Sequence, residues 1–220
     1  MQLKLQERLQ NLKMLASLAT FLKNPGSLDS VFAVANSVKS SPLAEQMMRH
    51  LLEHPRFSEL VKEGWRPPSI DLLALKTLPE GTLGRCYADQ LISQGITPET
   101  LIDPSPVASD TDYITHRLKE THDIIHVLTG FGIDGDSELG LQGFNLAQTR
   151  SPLAVMLIFG GMLSALQNDE SLAPMLRALA RGFQLGLEAD LVIARKLEEG
   201  WDRPLKDWRQ ELKLPTETAI

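Results

Sequence analysis

The chain has 220 residues, a formal net charge of -6 and 43% hydrophobic residues, proportions typical of a soluble globular protein with a buried core. Only 5% of the residues are aromatic, so aliphatic side chains must supply most of the core volume, which suits helices better than a β-sandwich. No basic stripe offsets the acidic balance, which argues against nucleic acid as a partner. The single cysteine, Cys86, cannot form an internal disulfide, and we expect neither a secretory signal nor a mitochondrial targeting segment.

Hydrophobic periodicity predicts an all-α chain that forms one domain over residues 1–220. The amino-terminal segment 1–25 is amphipathic, with a helix predicted at 2–23, and its basic polar face suits either an anionic membrane surface or docking onto the core. Further helices are predicted at residues 28–39, 42–54, 69–76, 83–94, 110–129, 137–149, 152–167, 171–199 and 204–213. Pro55 is expected to help end the helix at 42–54, residues 64–70 to form a turn, and residues 97–109 to form a connector.

The helix at 152–167 is almost entirely apolar. It is shorter than the ~20 residues that cross a bilayer, which indicates a buried central helix. Its glycine pair, Gly160 and Gly161, would let another backbone or a ligand approach closely.

The chemically informative residues lie in the acidic segment 112–138, which holds six acidic residues against two basic ones. His122 and His126 are four positions apart and fall on one face of a helix, about 40° apart in azimuth, so two imidazoles can reach one ion. Asp123 can be a third ligand or an acceptor that orients an imidazole. Glu138 follows a glycine-rich reversal and can supply a further carboxylate.

Two imidazoles with carboxylates suit Zn²⁺, and also Fe²⁺ or Mn²⁺, in a site with an open position. The alternative to a metal site is that His122 and His126 are ordinary core or surface histidines. His116 is six residues before His122 and should not join the site, and His50 and His54 are expected to be surface residues. The pattern is not a metalloprotease helix, which has Glu directly after the first His.

The run His-Asp-x-x-His, eleven intervening residues and Glu resembles the signature of the coenzyme Q biosynthesis protein four family. The similarity extends to Leu-Pro-Glu-Gly-Thr-Leu-Gly-Arg at 78–85, to residues 117–121 and 140–148, and to Trp-Asp-Arg-Pro-Leu at 201–205. The resemblance implies a helical, dimeric protein at the periphery of a membrane, working among other enzymes of ubiquinone biosynthesis. We expect a bacterial-type member, cytoplasmic and peripheral on the cytoplasmic face of the membrane.

The resemblance further implies metal-dependent oxidative decarboxylation of a polyprenyl-hydroxybenzoate precursor, with His122, Asp123, His126 and Glu138 as the ligands and zinc as the favoured ion. Arg117 and Arg85 are candidates to pair with the precursor's carboxylate, and each could instead form a structural ion pair. The prenyl tail needs an apolar cavity, for which Gly160, Gly161 and Leu157 are the expected wall.

Two other functions remain open. The protein could be a non-enzymatic lipid-binding scaffold that organises quinone biosynthesis enzymes, with the metal serving structure. A metal-dependent phosphohydrolase is a weaker third interpretation, since the further His and Asp ligands of that chemistry have no convincing place in the sequence.

Overall fold

The structure is a computed structural model that describes residues 28–39, 41–95 and 106–217, together with residues 13, 16, 17, 19, 20, 22 and 23, which are helical. The predicted helix at 2–23 lies mostly outside the described residues. Most of the predicted connector at 97–109 lies outside them as well.

The described part of the chain is all-helical and contains no β-strand, which confirms the all-α prediction. Its one extended pairing is an isolated bridge between Thr82 and Pro204. Within these ranges, no helix has the length and hydropathy required to span a membrane. The α-helices are α1 (Leu28–Lys39), α2 (Pro42–Leu52), α3 (Pro55–Glu63), α4 (Leu72–Lys76), α5 (Leu83–Ser93), α6 (Asp110–Glu120), α7 (His122–Thr129), α8 (Gly135–Thr149), α9 (Pro152–Gln167), α10 (Leu172–Glu188) and α11 (Leu205–Glu211).

The chain divides into two compact units. The first unit comprises residues 1–51 and 133–187, and the second comprises residues 52–132 and 188–220. The helices α1, α8, α9 and most of α10 belong to the first unit, and α3 to α7 and α11 belong to the second. The prediction of a single domain over residues 1–220 stays a prediction.

Three helix predictions differ from the structure by more than a few residues. The helix predicted at 171–199 is wrong in its length, because α10 ends at Glu188 and two short 3₁₀ helices follow at Val192–Ala194 and Leu197–Glu199. Beyond α10 the Asp190 N–H donates to the Leu212 carbonyl at 3.0 Å instead of continuing the helix.

Pro55 does not only end one helix but opens the next, α3, where it occupies the first turn and needs no backbone donor. The helix predicted at 110–129 is interrupted at Thr121, whose hydroxyl donates to the Arg117 carbonyl at 2.7 Å. Such a bond back to the preceding turn bends helices and accounts for the separate α6 and α7.

In the first unit, α8 packs against both α9 and α10. The contact with α10 is made by backbone, because a Cβ added to Gly182 would lie 1.8 Å from the carbonyl oxygen of Gly140. Gln148 closes this contact by donating to the Gly186 carbonyl at 2.8 Å. A glycine at position 182 is therefore required for the two helices to approach this closely.

The prediction that α9 is a buried central helix is wrong for part of its surface. Ile158 and Ala165 are buried against α8 and α10, but Val155, Phe159 and Leu166 are each about half exposed. A nearly continuous apolar sequence cannot reveal which side of a helix has neighbours. The three exposed side chains repeat at helical spacing and form one apolar stripe.

In the second unit, α7 is the central element and packs against α5, α6 and α11. Its apolar side chains are almost completely excluded from solvent: Ile124, Ile125, Val127 and Leu128. Because these side chains point into the core, the polar side chains of α7 lie on the opposite side of the helix.

Candidate metal centre

The polar side of α7 carries three potential ligands, which we call the α7 cluster: His122, Asp123 and His126. One ligand atom from each residue lies within 4.8 Å of those of the others. The two imidazole Nε2 atoms are 3.3 Å apart, and the ring planes meet at 87°. His126 is buried, whereas His122 and Asp123 are partly accessible, so one side of the cluster is open to a ligand.

The His126 ring is held by a second contact that suits a metal ligand. Its Nδ1 lies 3.1 Å from the carbonyl oxygen of Phe131. A carbonyl can only accept, so Nδ1 carries the proton and the Nε2 lone pair points towards His122. This arrangement matches the backbone hydrogen bond that commonly orients metal-bound histidines. The donor set of the α7 cluster therefore fits a divalent ion.

Gly130 makes that contact possible. It ends α7 with φ +74°, a left-handed conformation that favours glycine, and its N–H donates to the His126 carbonyl at 2.8 Å. The reversal brings Phe131 back beside the helix. The same residue that terminates the helix thus sets the orientation of one imidazole.

Glu138 lies in the first turn of α8, which begins after the Asp134 cap. Its N–H donates to the Asp134 carbonyl at 2.9 Å. The cluster that the structure brings together has its three members on α7 alone. Glu138 as a further ligand stays a prediction. His116, as expected, is not part of the cluster; it is buried on α6.

The structure places Arg117 in an internal ion pair, the alternative that the sequence left open. The side chain is 1% exposed, and its guanidinium pairs with Glu198 through both terminal nitrogens. It also donates to the carbonyls of Ile193 and Arg195, and its Cζ lies 5.2 Å from the centre of the Trp65 ring. A guanidinium engaged in this way has no open face for a substrate carboxylate.

Arg85 pairs with Asp89 at 2.9 Å on the exposed side of α5. Its side chain is a quarter exposed, so it stays a candidate for an anionic ligand. This contact is an i,i+4 ion pair on a helix surface, and such pairs contribute only about 0.3–0.5 kcal/mol to stability.

The residues predicted to wall a lipid cavity pack against protein. A Cβ on Gly161 would meet the Leu139 side chain of α8 at 2.9 Å, and Leu157 packs around Val34 of α1. A pocket of about 200 Å³ lies at the start of α9, lined by Leu43, Gln46, Met47, Arg150, Pro152, Val155 and Met156. It is smaller than typical ligand pockets of roughly 300–1,000 Å³ and contains none of the predicted residues. The lipid cavity stays a prediction.

Sequence reasoning did not identify Tyr87 of α5, although α5 packs against α7. Its ring stacks on Trp201 with centroids 4.9 Å apart, and the residue is 1% exposed. Burial, and then the charges of Asp123 and Glu198, raise the pKa of Tyr87 above its ordinary value. A phenol is already protonated at neutral pH at the ordinary tyrosine pKa of about 10, and this shift keeps it so.

The fold and the site together define an all-helical protein with a two-histidine, one-carboxylate cluster on a central helix. The family model described as "Coenzyme Q (ubiquinone) biosynthesis protein Coq4" matches residues 1–217. The chain belongs to this family.

Individual relatives agree with the family. The chain is 29% identical over 186 residues to "Ubiquinone biosynthesis protein coq4, mitochondrial" of Botryotinia fuckeliana, and the match covers 84% of this chain and 61% of the fungal protein. It is 30% identical to the mitochondrial COQ4 homologue of Danio rerio, over 88% of this chain and 72% of that protein. A crystal structure from Nostoc punctiforme, described as a candidate ubiquinone biosynthesis protein, matches with TM-score 0.83 and 32% identity. That match covers 92% of this chain and 97% of the other.

Proposed function

We propose that this protein binds one divalent metal ion through the α7 cluster and Glu138, and uses it in the biosynthesis of a prenylated quinone. The observation that carries the proposal is the 3.3 Å separation of the His122 and His126 Nε2 atoms beside Asp123. Membership of the Coq4 family supports the pathway. Zinc is the favoured ion, because two imidazoles with carboxylates suit it, and iron(II) or manganese(II) accept the same donors.

The reaction we propose is the oxidative decarboxylation of a polyprenyl-hydroxybenzoate precursor. The bond between the ring and its carboxyl carbon breaks and carbon dioxide leaves, and a hydroxyl whose oxygen comes from water takes its place. Dioxygen accepts the two electrons and two protons and is released as hydrogen peroxide. A bound metal ion supplies Lewis acidity at an open coordination position. The chain's own residues orient the site. The Phe131 carbonyl holds the His126 ring with Nε2 as the donor atom.

The prenyl tail requires an apolar channel, since each buried methylene contributes about 0.8 kcal/mol. We keep α9, with Gly160, Gly161 and Leu157, as the proposed wall, and Arg85 as the proposed contact for the anionic end. The protein would act at the cytoplasmic face of a membrane, as a homodimer associated with other quinone biosynthesis enzymes. These partners and this location are proposed from what the resemblance to the family implies.

A second candidate function is a lipid-binding scaffold without turnover. The exposed apolar stripe of α9 favours it, because a surface of this kind docks hydrophobic partners. Under this alternative the metal ion stabilises α7, and the α7 cluster has no catalytic role.

Turnover separates the two functions. Metal-free protein loaded with zinc, iron(II) or manganese(II) would be incubated with dioxygen and a prenylated 4-hydroxybenzoate labelled with ¹³C in its carboxyl group. Release of ¹³CO₂ with at least one metal, and its loss in a folded Glu138→Gln variant, supports the enzyme. The exposed residue Glu170 provides the matched control, Glu170→Gln, which should retain turnover. Tight lipid binding without labelled carbon dioxide from any loaded form would favour the scaffold.

A further inference from the structure

The carboxyl end of α7 is capped from a distant part of the chain. The last four carbonyls of a helix receive no hydrogen bond from an N–H group of the same helix. Here the guanidinium of Arg209, on α11, donates from Nε to the Leu128 carbonyl at 2.9 Å and from Nη2 to the Val127 carbonyl at 3.1 Å. Its Nη1 reaches the Thr216 carbonyl at 3.4 Å. One side chain thereby fixes two consecutive carbonyls of the helix that carries the α7 cluster.

Arg209 differs in its partners from Arg117, which is also buried. Arg117 faces the carboxylate of Glu198, whereas the three hydrogen bonds of Arg209 described above all go to backbone carbonyls. Arg209 is 8% exposed, and burial lowers the pKa of its guanidinium. A buried cation needs compensation, and the negative end of the α7 dipole provides it.

The capped carbonyls lie directly beside the contact that orients a ligand. Val127 and Leu128 immediately follow His126, and Gly130 and Phe131 complete the reversal that returns the Phe131 carbonyl to the His126 ring. If Val127 and Leu128 move, the reversal moves with them, and the 3.1 Å contact to Nδ1 changes. The hydrogen bonds from Arg209 therefore affect the orientation of the His126 imidazole.

We infer that Arg209 is a positioning residue of the metal centre, which holds the last turn of α7 so that the Phe131 carbonyl keeps the His126 Nε2 atom directed at the ion. The inference rests on the proposed function, because it assigns a role within the same site. Arginine is required because a planar fork can meet two carbonyls at once, which a lysine ammonium on a flexible stem does not reproduce.

The test compares wild-type protein with Arg209→Met and Arg209→Lys. Cobalt(II) serves as a spectroscopic probe for the ion, and its visible absorption reports coordination geometry. We expect wild-type protein to bind cobalt with a resolved visible band, and both variants to bind it about 10–100-fold more weakly with a changed band, as happens when a partner that orients a ligand is removed. Arg195→Met is the control, because Arg195 pairs with Asp190 and Glu211 and should leave affinity and spectrum unchanged.

A measurement on the metal-free protein separates positioning from general stability. Long-range ¹H–¹⁵N correlation spectra at pH 8 report which nitrogen of a neutral histidine carries the proton. We expect a single Nδ1–H form of His126 in wild type and a mixture of forms in Arg209→Lys, at temperatures where both proteins are folded. Should Arg209→Met fail to fold, Arg209→Lys and this measurement decide the question.

The outcomes distinguish the two proposals. Wild-type protein that binds no metal overturns the proposed function and this inference with it. Wild-type protein that binds cobalt, with Arg209→Lys showing the same affinity, band and histidine form, overturns the inference alone. Weakened binding in Arg195→Met to the same extent would also overturn it, because the effect would then be general loss of stability.

Discussion

The guanidinium of Arg117 faces the carboxylate of Glu198, 81 positions further along the chain, and both side chains are 1% exposed. Removing one partner leaves the other charge buried without compensation. We expect Arg117→Met and Glu198→Gln each to lower the free energy of unfolding by about 3–5 kcal/mol. Urea unfolding monitored by circular dichroism measures this.

The double variant Arg117→Met/Glu198→Leu is the control. With both charges gone, it should recover much of the stability that either single variant loses, because an apolar pair of similar volume can replace a buried ion pair. A result in which Arg117→Met keeps full stability and loses only affinity for the carboxylated precursor would contradict the structural role. It would return Arg117 to the substrate site.

The approach of α8 and α10 gives a second prediction. Ala at position 182 would place a Cβ 1.8 Å from the Gly140 carbonyl oxygen, which is backbone and cannot rotate away. We expect Gly182→Ala to destabilise the protein by at least about 1–3 kcal/mol, the usual cost of overpacking. Thermal unfolding checks this.

Gly135 is the matched control, because its added Cβ would meet nothing within 4 Å and it lies in the first turn of α8. Gly135→Ala should be neutral or stabilising by about 0.4–1 kcal/mol, since Ala restricts the unfolded chain. Equal destabilisation by the two variants would show that the close contact is not what glycine provides at position 182.

The helices were predictable where local chemistry decides them. The prediction at 28–39 coincides with α1, and α6 begins after Ser109, a residue type that favours helix starts, whose hydroxyl accepts from the Asp112 N–H. The predictions were wrong where one residue has two roles, as Pro55 does. They were also wrong where burial depends on neighbouring elements, as on the outer side of α9. Apolar composition alone does not identify the partners of a helix.

The candidate site was predictable in the same uneven way. The i,i+4 spacing of His122 and His126 follows from helix geometry, and the structure brings the two Nε2 atoms together. The sequence did not predict the groups that orient the His126 imidazole. Phe131 acts through a carbonyl that every residue has, and Arg209 is more than 80 positions from the two α7 carbonyls that it contacts. Only Gly130, a helix-terminating residue, signals the reversal.

The amino-terminal cap of α8 gives a pH-dependent prediction. The Asp134 carboxylate accepts from the Ser137 hydroxyl at 2.7 Å and from its N–H at 3.0 Å, and these bonds lower the pKa of Asp134 below its ordinary value. A lowered folded-state pKa means that the contribution is fully present above the unfolded pKa of about 3.9 and is lost as the pH falls through the folded value.

We therefore expect Asp134→Ala to lower the free energy of unfolding by about 1 kcal/mol at pH 7. The difference from wild type should shrink as the pH falls below about 4. Urea unfolding across this range measures it, and Asp134→Asn, which keeps an acceptor without a titrating group, is the control. The same difference at pH 3 as at pH 7 would show that the charge of Asp134 is not involved.

Metal removal gives a prediction for the α7 cluster. An ion that binds only the folded protein adds about 2.7 kcal/mol of stability at a free concentration of 100 times its dissociation constant. Chelation should therefore lower the unfolding temperature of the loaded protein, and His126→Gln should remove the response to added zinc. His54→Gln is the control, because His54 precedes α3 and is outside the cluster. An unchanged zinc response in His126→Gln would rule out the cluster as the binding site.

Glu138 requires its own test, because its assignment rests on the sequence pattern. If its carboxylate is a ligand, Glu138→Gln should weaken zinc binding by more than the roughly tenfold that loss of an orienting hydrogen bond costs. Titration calorimetry measures the affinity, and Glu170→Gln controls for the loss of one surface charge. An affinity equal to that of wild type would leave the α7 cluster as the binding site and remove Glu138 from it. A loss of turnover at unchanged affinity would instead assign Glu138 to proton transfer, since a carboxylate that does not bind the metal ion can still accept a proton.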